Sequence, residues 1–265
     1  MRSSEWISLI YFGAMTVLSW CRPLPAARRL QIAALGVPMG AAILWVARDG
    51  SSWVRDWMPV AYILGAYYQS GRFFVRPSPA IEQWLMSWDR RLLGDPTTRF
   101  AKWPAPLLAF LEVAYMGCVV LVPAGFALLA ATGRAALADR YWTMVISAEL
   151  GAFVPLAVMQ TRPPWAIERH AALPDRAVHR FAARMVRELT INANTFPSGH
   201  VAGSLAVAFA LFDPMPWAGG VCLLLAIFIS LACIVGRYHY VVDVVAGAVL
   251  ALIIYGIVSA AGVSS

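Results

Sequence analysis

Long apolar runs, separated by short polar or charged segments, dominate the hydrophobic pattern of this chain. A helix needs about 20 apolar residues to cross a hydrocarbon core of about 30 Å, and eight runs approach or exceed that length. The predicted spans cover residues 6–21, 30–47, 57–74, 107–132, 142–160, 197–212, 217–235 and 239–261. The first run lacks a convincing small-residue cleavage site, so we expect a retained span and not a signal peptide. The pattern predicts an all-α, polytopic membrane helix bundle.

Two connections between the predicted spans are long. Within residues 75–104, apolar residues recur at helical spacing with charged residues between them, namely at Ile81, Leu85, Trp88 and Leu92. This spacing predicts an amphipathic helix that lies in the membrane interface. Residues 164–195 are polar and rich in Arg. They form either a lid or head-group-binding loop, or a solvated connector, and the sequence favours the connector.

Composition supports a membrane protein and narrows its partners. Hydrophobic residues make up 60% of the chain and charged residues 13%, against about 45–50% and about 25% in soluble domains. The net charge of +7 indicates contact with anionic lipid head groups or the excess of basic residues on the cytoplasmic side of membrane proteins. The chain has no basic run interleaved with aromatics, so we do not expect it to bind nucleic acid. The four cysteines show no paired spacing, so we interpret them as packing residues and expect neither a zinc site nor a disulfide.

Three polar segments fall at the ends of predicted spans on the same side of the membrane. They are Thr161–Trp165 after the fifth span, Phe196–His200 at the start of the sixth, and Gly236–Asp243 at the start of the eighth. In the second segment, the amides of Ser198 and Gly199 would open a helix, and such an end binds anions. His200 follows as a possible proton donor. The alternative is an ordinary helix start with an incidental histidine.

In the third segment, His239 and Asp243 are four residues apart and share one helical face, so the carboxylate can orient the imidazole. Arg237 precedes them, and Arg162 lies in the first segment; a guanidinium matches the geometry of phosphate oxygens. Taken singly, a structural His–Asp pair and a snorkelling Arg162 are the alternatives. Together, the segments supply a nucleophile, an acid and positive donors, which phosphoryl transfer needs, without a metal or another cofactor.

The three segments resemble the signature motifs of the type 2 phosphatidic acid phosphatase superfamily, which includes membrane lipid phosphatases. The family pattern is Lys, six residues and Arg-Pro; then Pro-Ser-Gly-His; then Ser-Arg, five residues, His, three residues and Asp. The resemblance implies a six-helix phosphatase core at 57–265, with residues 1–56 as two additional N-terminal transmembrane helices.

The resemblance also implies a role for each matching residue. His239 would be the nucleophile that forms a phosphohistidine, Asp243 would orient it, and His200 would protonate the leaving group. The phosphoryl oxygens would be held by Arg162, Ser198, Gly199 and Arg237.

Two positions depart from the family pattern. The family Lys would fall at Pro155, and an Arg such as Arg169 could substitute for it. Cys233 stands where the third motif has Arg, and Arg237 appears later in the motif. The ending Tyr-His-Tyr-x-x-Asp resembles the inositol phosphorylceramide synthase-like branch, which transfers head groups between lipids.

These observations favour a phosphatase acting on a lipid phosphate monoester or diphosphate, similar to phosphatidate or a polyprenyl diphosphate. A head-group phosphotransferase with the same site is the first alternative. A non-enzymatic protein that binds or transports anionic lipid is the second, although the absence of clear internal repeats argues against a transporter.

The location that we expect is the inner membrane of a bacterium. The family resemblance places the site on the periplasmic side, whereas sixteen of the twenty-one Lys and Arg residues fall on the side of the site, which favours the cytoplasm. Glu112 and Glu149 lie within predicted spans, and we expect interhelix hydrogen bonds there rather than a proton path.

Overall fold

The structure is a computed structural model, and it describes residues 1–168 and 177–262. Within these ranges the chain forms twelve α-helices and two 3-10 segments, and the only extended pairing is an isolated bridge between Thr161 and Asn194. The helices are α1 (Ser3–Cys21), α2 (Ala26–Asp49), α3 (Ser52–Gly71), α4 (Pro79–Leu93), α5 (Pro96–Ala101), α6 (Ala105–Ala131), α7 (Ala138–Phe153), α8 (Pro164–Ile167), α9 (Ala177–Leu189), α10 (Gly199–Phe212), α11 (Pro216–Val235) and α12 (Val241–Ala260).

Eight of these helices coincide with the predicted spans: α1, α2, α3, α6, α7, α10, α11 and α12. Four of them, α2, α6, α11 and α12, are long and apolar enough to cross a membrane, and α10 is a shorter apolar helix. The prediction of an all-α membrane helix bundle is confirmed. A membrane crossing by the remaining helices stays a prediction.

The fifth predicted span differs from the helix that forms there. The hydrophobic pattern predicts a span at 142–160, but α7 ends at Phe153, and a 3-10 segment covers Val154–Ala157. Pro155 explains this end, because it has no backbone N–H to donate to the preceding turn and its ring crowds that turn. The chain therefore leaves the bundle earlier than predicted, just before the first polar segment.

Helix α10 lies at the centre of the bundle and packs against α6, α7, α11 and α12. Small residues cover much of its surface, and its side chains are largely buried, including Ala202, Ala206 and Ala210. Small side chains let neighbouring helices approach closely, which is how helices associate in a membrane. The central position of α10 places its first turn, which carries His200, among the ends of three other helices.

The N-terminal helices α1, α2 and α3 pack on one another and on α7. At the end of the bundle where α1 begins, Glu5 accepts hydrogen bonds from Arg55 Nε at 2.7 Å and Arg55 Nη2 at 2.8 Å. The same carboxylate accepts a third bond, of 2.7 Å, from the backbone N–H of Arg2. This ion pair lies at the end of the bundle opposite to the three polar segments.

The amphipathic segment predicted within 75–104 forms a helix, α4, but its buried face differs from the expected one. Leu85 is fully buried, whereas Leu92 is 54% exposed. The buried face around Leu85 also carries two carboxylates, Glu82 and Asp89. Ionised groups are buried only when they are paired, so the partners of these two side chains shape the site.

The structure agrees only in part with the roles predicted for the cysteines and for the glutamates within the spans. Cys118, Cys222 and Cys233 are buried, as expected of packing residues, but Cys21 is exposed, so the packing interpretation is wrong for that residue. Glu112 is buried in α6. The carboxyl group of Glu149 lies against Gly199 and Gly203 of α10, and the residues described here give it no hydrogen bond.

Candidate active site

The second polar segment forms the start of α10. Ser198 is the N-cap, and its hydroxyl accepts a hydrogen bond of 3.4 Å from the N–H of Val201. Its own N–H donates to the carbonyl of Asp243 at 3.0 Å, and Ser198 is fully buried. The N–H of Gly199 donates to Thr195 Oγ1 at 3.5 Å. The donors that the resemblance assigns to phosphate therefore already have partners inside the protein.

The need for glycine at 199 also has a packing cause. A Cβ atom at that position would lie 2.9 Å from a ring carbon of Phe153 and 3.2 Å from Glu149 Oε2. Contacts this short force a neighbouring group to move. Close packing of α7 against the first turn of α10 thus accounts for Gly199 independently of any ligand.

The third polar segment is a tight connection between α11 and α12. Helix α11 ends at Val235, and the N–H groups of Tyr238 and His239 both donate to the carbonyl of Cys233 at 3.0 Å. Arg237, directly before Tyr238, adopts a φ of 58°, the left-handed region in which helix ends usually place glycine. The residue in place of the family Arg, Cys233, is buried in the core and fixes the loop through its backbone.

Three side chains form a contiguous chain at this point. His239 Nδ1 lies 3.4 Å from Asp243 Oδ2, and His239 Nε2 lies 3.3 Å from His200 Nδ1. Asp243 Oδ2 also accepts a bond of 3.0 Å from the N–H of Tyr240. With a proton on Nδ1 of each ring, His239 donates to Asp243, and His200 donates to Nε2 of His239. The arrangement therefore joins two imidazoles and a carboxylate in one line.

His239 lies in the loop before α12 and is only 4% exposed. Burial lowers the pKa of His239 to about 3, because a protonated ring loses its hydration there. The imidazole is consequently unprotonated at neutral pH, which is the form that can act as a nucleophile.

Tyr115 of α6 packs against the ring of His200. Its ring stacks on that of His200, with centroids 4.9 Å apart and an interplanar angle of 21°. It also stacks on the ring of Tyr238, at 3.8 Å and 13°. Tyr115 is not among the residues that the sequence predicts for the site, and nothing in the sequence near it signals this role, because the stack joins residues that are far apart in the chain.

Gly247 sets the distance between the two helices that carry the histidines. A Cβ atom at 247 would lie 2.7 Å from the backbone carbonyl oxygen of Ser198 and 3.2 Å from Val201 Cβ. A backbone atom cannot move aside as a flexible side chain can. The absence of a side chain at 247 therefore allows α12 to contact the first turn of α10.

We expect Gly247→Ala to lower kcat by about tenfold to a hundredfold, because a misplacement of about 1 Å at reacting groups has effects of this size. The measurement is release of inorganic phosphate from a lipid phosphate by purified protein. Gly256→Ala is the matched control, since it lies in the same helix and a Cβ there meets nothing within 4 Å. Equal activity of the two variants would contradict this role of Gly247.

Arg162, in the first polar segment, forms an ion pair with α4. Its Nε and Nη2 donate to Glu82 Oε1 at 3.0 Å and to Glu82 Oε2 at 2.9 Å. Its backbone N–H donates to Glu82 Oε1 at 2.9 Å. Burial alone would raise the pKa of Glu82, but the hydrogen bonds from Arg162 outweigh it and hold that pKa below its ordinary value. Glu82 is therefore an ionised partner.

Arg237 is buried and forms ion pairs with two carboxylates. Its Nε and Nη2 donate to the two oxygens of Glu168 at 2.9 Å and 2.8 Å, and Nη2 also donates to Asp89 Oδ2 at 2.8 Å. Burial raises the pKa of Asp89, and this effect exceeds the lowering of the same pKa by the positive charge of Arg237. Nη1 of Arg237 is buried and has no partner within the described residues.

Two hydrogen bonds join the first and third segments directly. The hydroxyl of Tyr240 donates to the carbonyl of Arg162 at 3.1 Å, and the N–H of Trp165 donates to the carbonyl of Arg237 at 3.0 Å. The second segment joins them through the bond between Ser198 and Asp243. The structure therefore brings all three polar segments together, although they are distant in the sequence.

A cavity of about 670 Å³ lies beside these ion pairs, between α4, α5 and the end of α8. Its polar lining includes Asp89, Asp95, Thr97, Thr98 and Glu168. The cavity reaches the carboxylates that hold Arg237, but its lining includes neither histidine. We therefore do not assign the reaction to it.

Of the predicted site residues, His200, His239 and Asp243 are in mutual contact, and Ser198 and Gly199 lie beside them. Arg162 and Arg237 face carboxylates that sequence analysis did not identify as partners: Glu82, Asp89 and Glu168. For Glu82 and Asp89, the sequence does carry a signal of a buried role, because they are seven residues apart and lie on one face of a predicted helix. Arg169, the suggested substitute for the family Lys, lies outside the described residues. In the part of the chain that the structure describes, no group of His, Cys, Asp and Glu is placed to hold a metal ion.

Comparison with known proteins identifies the family. A family model described as PAP2 superfamily matches residues 83–257, a range that contains all three polar segments and begins within α4. Comparisons with curated proteins and with solved structures gave no significant match. The match covers more than half of the chain and agrees with the three motifs. The chain therefore belongs to the PAP2 superfamily, the type 2 phosphatidic acid phosphatases that its motifs resemble.

Proposed function

We propose that the chain hydrolyses a lipid phosphate monoester or diphosphate, similar to phosphatidate or a polyprenyl diphosphate, through a phosphohistidine at His239. Membership of the PAP2 superfamily supports a lipid-phosphatase kind of function. The observation that carries the finer proposal is the line of His200, His239 and Asp243, with contacts of 3.3 Å and 3.4 Å.

In the proposed first step, Nε2 of His239 attacks the terminal phosphorus atom, and the bond from phosphorus to the leaving oxygen breaks. The leaving oxygen is the lipid oxygen of a monoester or the bridging oxygen of a diphosphate. His200, protonated in the substrate complex, gives its proton to that oxygen, and Asp243 stabilises the positive charge that develops on His239. In the second step, water attacks the phosphorus atom, His200 takes up a proton from the water, and the P–N bond breaks. Inorganic phosphate leaves, and both imidazoles return to their starting state.

The contact between the rings has a consequence for substrate binding. His239 Nε2 and His200 Nδ1 are 3.3 Å apart, which leaves no room for a phosphoryl group between them. Substrate binding must therefore separate the rings. The stacking of His200 on Tyr115 gives that ring a surface on which it can slide without losing contact.

The proposal is tested by phosphate release from a panel of lipid monophosphates and diphosphates. Purified protein in detergent, with EDTA present, is expected to release phosphate from at least one of them, because the proposed site uses no metal. Activity that EDTA abolishes and added metal restores would contradict this mechanism.

The head-group transferase alternative uses the same site with an alcohol in place of water. The observation that favours it is the run Tyr238–Asp243, which is similar to the inositol phosphorylceramide synthase-like branch. A lipid donor supplied together with an alcohol acceptor separates the two. Transfer of the head group that exceeds release of phosphate would favour the transferase.

A further inference from the structure

Helix α4 contributes two buried carboxylates, and both bind arginines of the polar segments. Glu82, Leu85 and Asp89 follow the spacing of one helical face, with exposed fractions of 3%, 0% and 1%. Glu82 binds Arg162, and Asp89 binds Arg237. Burial of an ionised carboxylate is costly without a partner. The ion pairs with Arg162 and Arg237 therefore account for the burial of Glu82 and Asp89.

The two arginines are held in the same way. In each, a carboxylate binds the edge formed by Nε and Nη2, which is Glu82 at Arg162 and Glu168 at Arg237. The buried Nη1 of Arg237 has no hydrogen bond within the described residues. A guanidinium fixed along one edge has its plane and direction set by that contact. A buried N–H without a partner is unfavourable, so a phosphoryl oxygen that reaches Nη1 of Arg237 would supply the missing acceptor.

Asp89 also holds the loop that carries His239. Its Oδ1 accepts a hydrogen bond of 2.9 Å from the N–H of Val241, the first residue of α12, while its Oδ2 binds Arg237. One carboxylate thus holds the chain on both sides of His239. The left-handed backbone of Arg237 makes this contact important, because such a conformation persists only when its surroundings fix it.

We propose that Glu82 and Asp89 are positioning residues, through which α4 orients the two arginines towards the phosphoryl group and holds the loop of His239. The proposal rests on the proposed function for the identity of the ligand. The contrary possibility is that the carboxylates compete with phosphate for the arginines. Their removal would then strengthen substrate binding, so the two ideas predict changes of opposite sign.

The variants are Glu82→Gln and Asp89→Asn, which remove the charge and keep the size of the side chain. Glu5→Gln is the matched control. Glu5 is 2% exposed and, like Glu82, accepts two bonds from a guanidinium and one from a backbone N–H, but it lies at the opposite end of the bundle. Melting temperatures of the three variants show whether a loss of activity follows a loss of stability.

The first measurement is hydrogen–deuterium exchange in detergent, which does not depend on catalysis. Asp89→Asn is expected to speed exchange in residues 236–243 by about tenfold or more, and Glu82→Gln to do so in residues 160–162, since the broken contacts protect those amides from local opening. Glu5→Gln is expected to leave both segments unchanged. Unchanged exchange in the α4 variants would overturn the proposal, whether or not the wild-type protein releases phosphate.

The second measurement is the kinetics of phosphate release from the best lipid substrate. Glu82→Gln is expected to raise KM by about tenfold with a smaller change in kcat, because Arg162 loses its orientation. Asp89→Asn is expected to lower kcat by about tenfold or more, because the loop of His239 is released. A lower KM in either variant, or the same kinetics as Glu5→Gln, would overturn the proposal. A wild-type protein inactive towards every substrate would refute the proposed function alone.

Discussion

His239→Ala is expected to lower phosphate release by at least about 10³-fold, because the variant has no group that can form the phosphohistidine. His200→Ala is expected to lower phosphate release to a similar extent, since no side chain then donates a proton to the leaving oxygen. The measurement is the initial rate of phosphate release in detergent, with the wild-type protein prepared in parallel.

The structure adds a control to this experiment. The side chain of His239 is buried, so alanine at this position leaves a cavity. His239→Gln retains most of the volume and cannot accept a phosphoryl group. Inactivity of both variants with unchanged melting temperatures would assign the loss to chemistry. Full activity in either would refute a nucleophile at this position.

Asp243→Asn is expected to lower kcat by about 10²–10⁴-fold. The carboxylate lies at 3.4 Å from His239 Nδ1 and accepts the N–H of Tyr240 at 3.0 Å. An asparagine oxygen can keep the second bond, so the backbone stays in place, but a neutral amide does not stabilise the positive charge on the imidazole. Comparable losses follow when the carboxylate of a serine protease triad is changed to an amide. The measurement is kcat together with the rate at which labelled phosphohistidine accumulates.

Asp213→Asn supplies the control for loss of a carboxylate. Asp213 forms an ion pair with Arg140 at the other end of α10, away from the histidines. We expect its substitution to change kcat by less than about twofold, as for most exposed ion pairs. If both aspartate variants were equally impaired, the effect of Asp243 would be one of general stability and not of charge beside His239.

The bundle and the histidine chain could both be predicted from the sequence for physical reasons. Apolar runs long enough to cross a membrane specify helices, because a backbone in hydrocarbon must satisfy its own hydrogen bonds. The spacing of His239 and Asp243 predicts that they lie together, and the structure shows this contact at 3.4 Å. The expected shared helical face is wrong, because α12 begins at Val241 and His239 lies in the loop before it. Contact with His200 followed from the expectation that the span ends converge.

The contacts that sequence analysis missed depend on tertiary placement. Glu82 and Asp89 are among the charged residues of the predicted interfacial helix, and local periodicity cannot reveal that α4 turns them towards Arg162 and Arg237. The sequence places the amide of Gly199 at an anion-binding helix end, whereas the structure also shows α7 packed against this glycine. The early end of α7 at Phe153 depended on Pro155, whose effect on the helix outweighed the continued hydrophobicity of the run.

Helix α4 holds the loops that carry Arg162 and His239, so the protein can lose its activity while the helix bundle stays folded. Few side chains of this helix are buried, and the ion pairs of Glu82 and Asp89 provide much of its attachment. Elements with few buried contacts open locally at a free energy well below that of global unfolding. On heating, detachment of α4 would release both arginines and the loop of His239 while α6, α7, α10, α11 and α12 remain assembled. Inactivation would therefore precede melting, and the protein would lose its function while it is still folded.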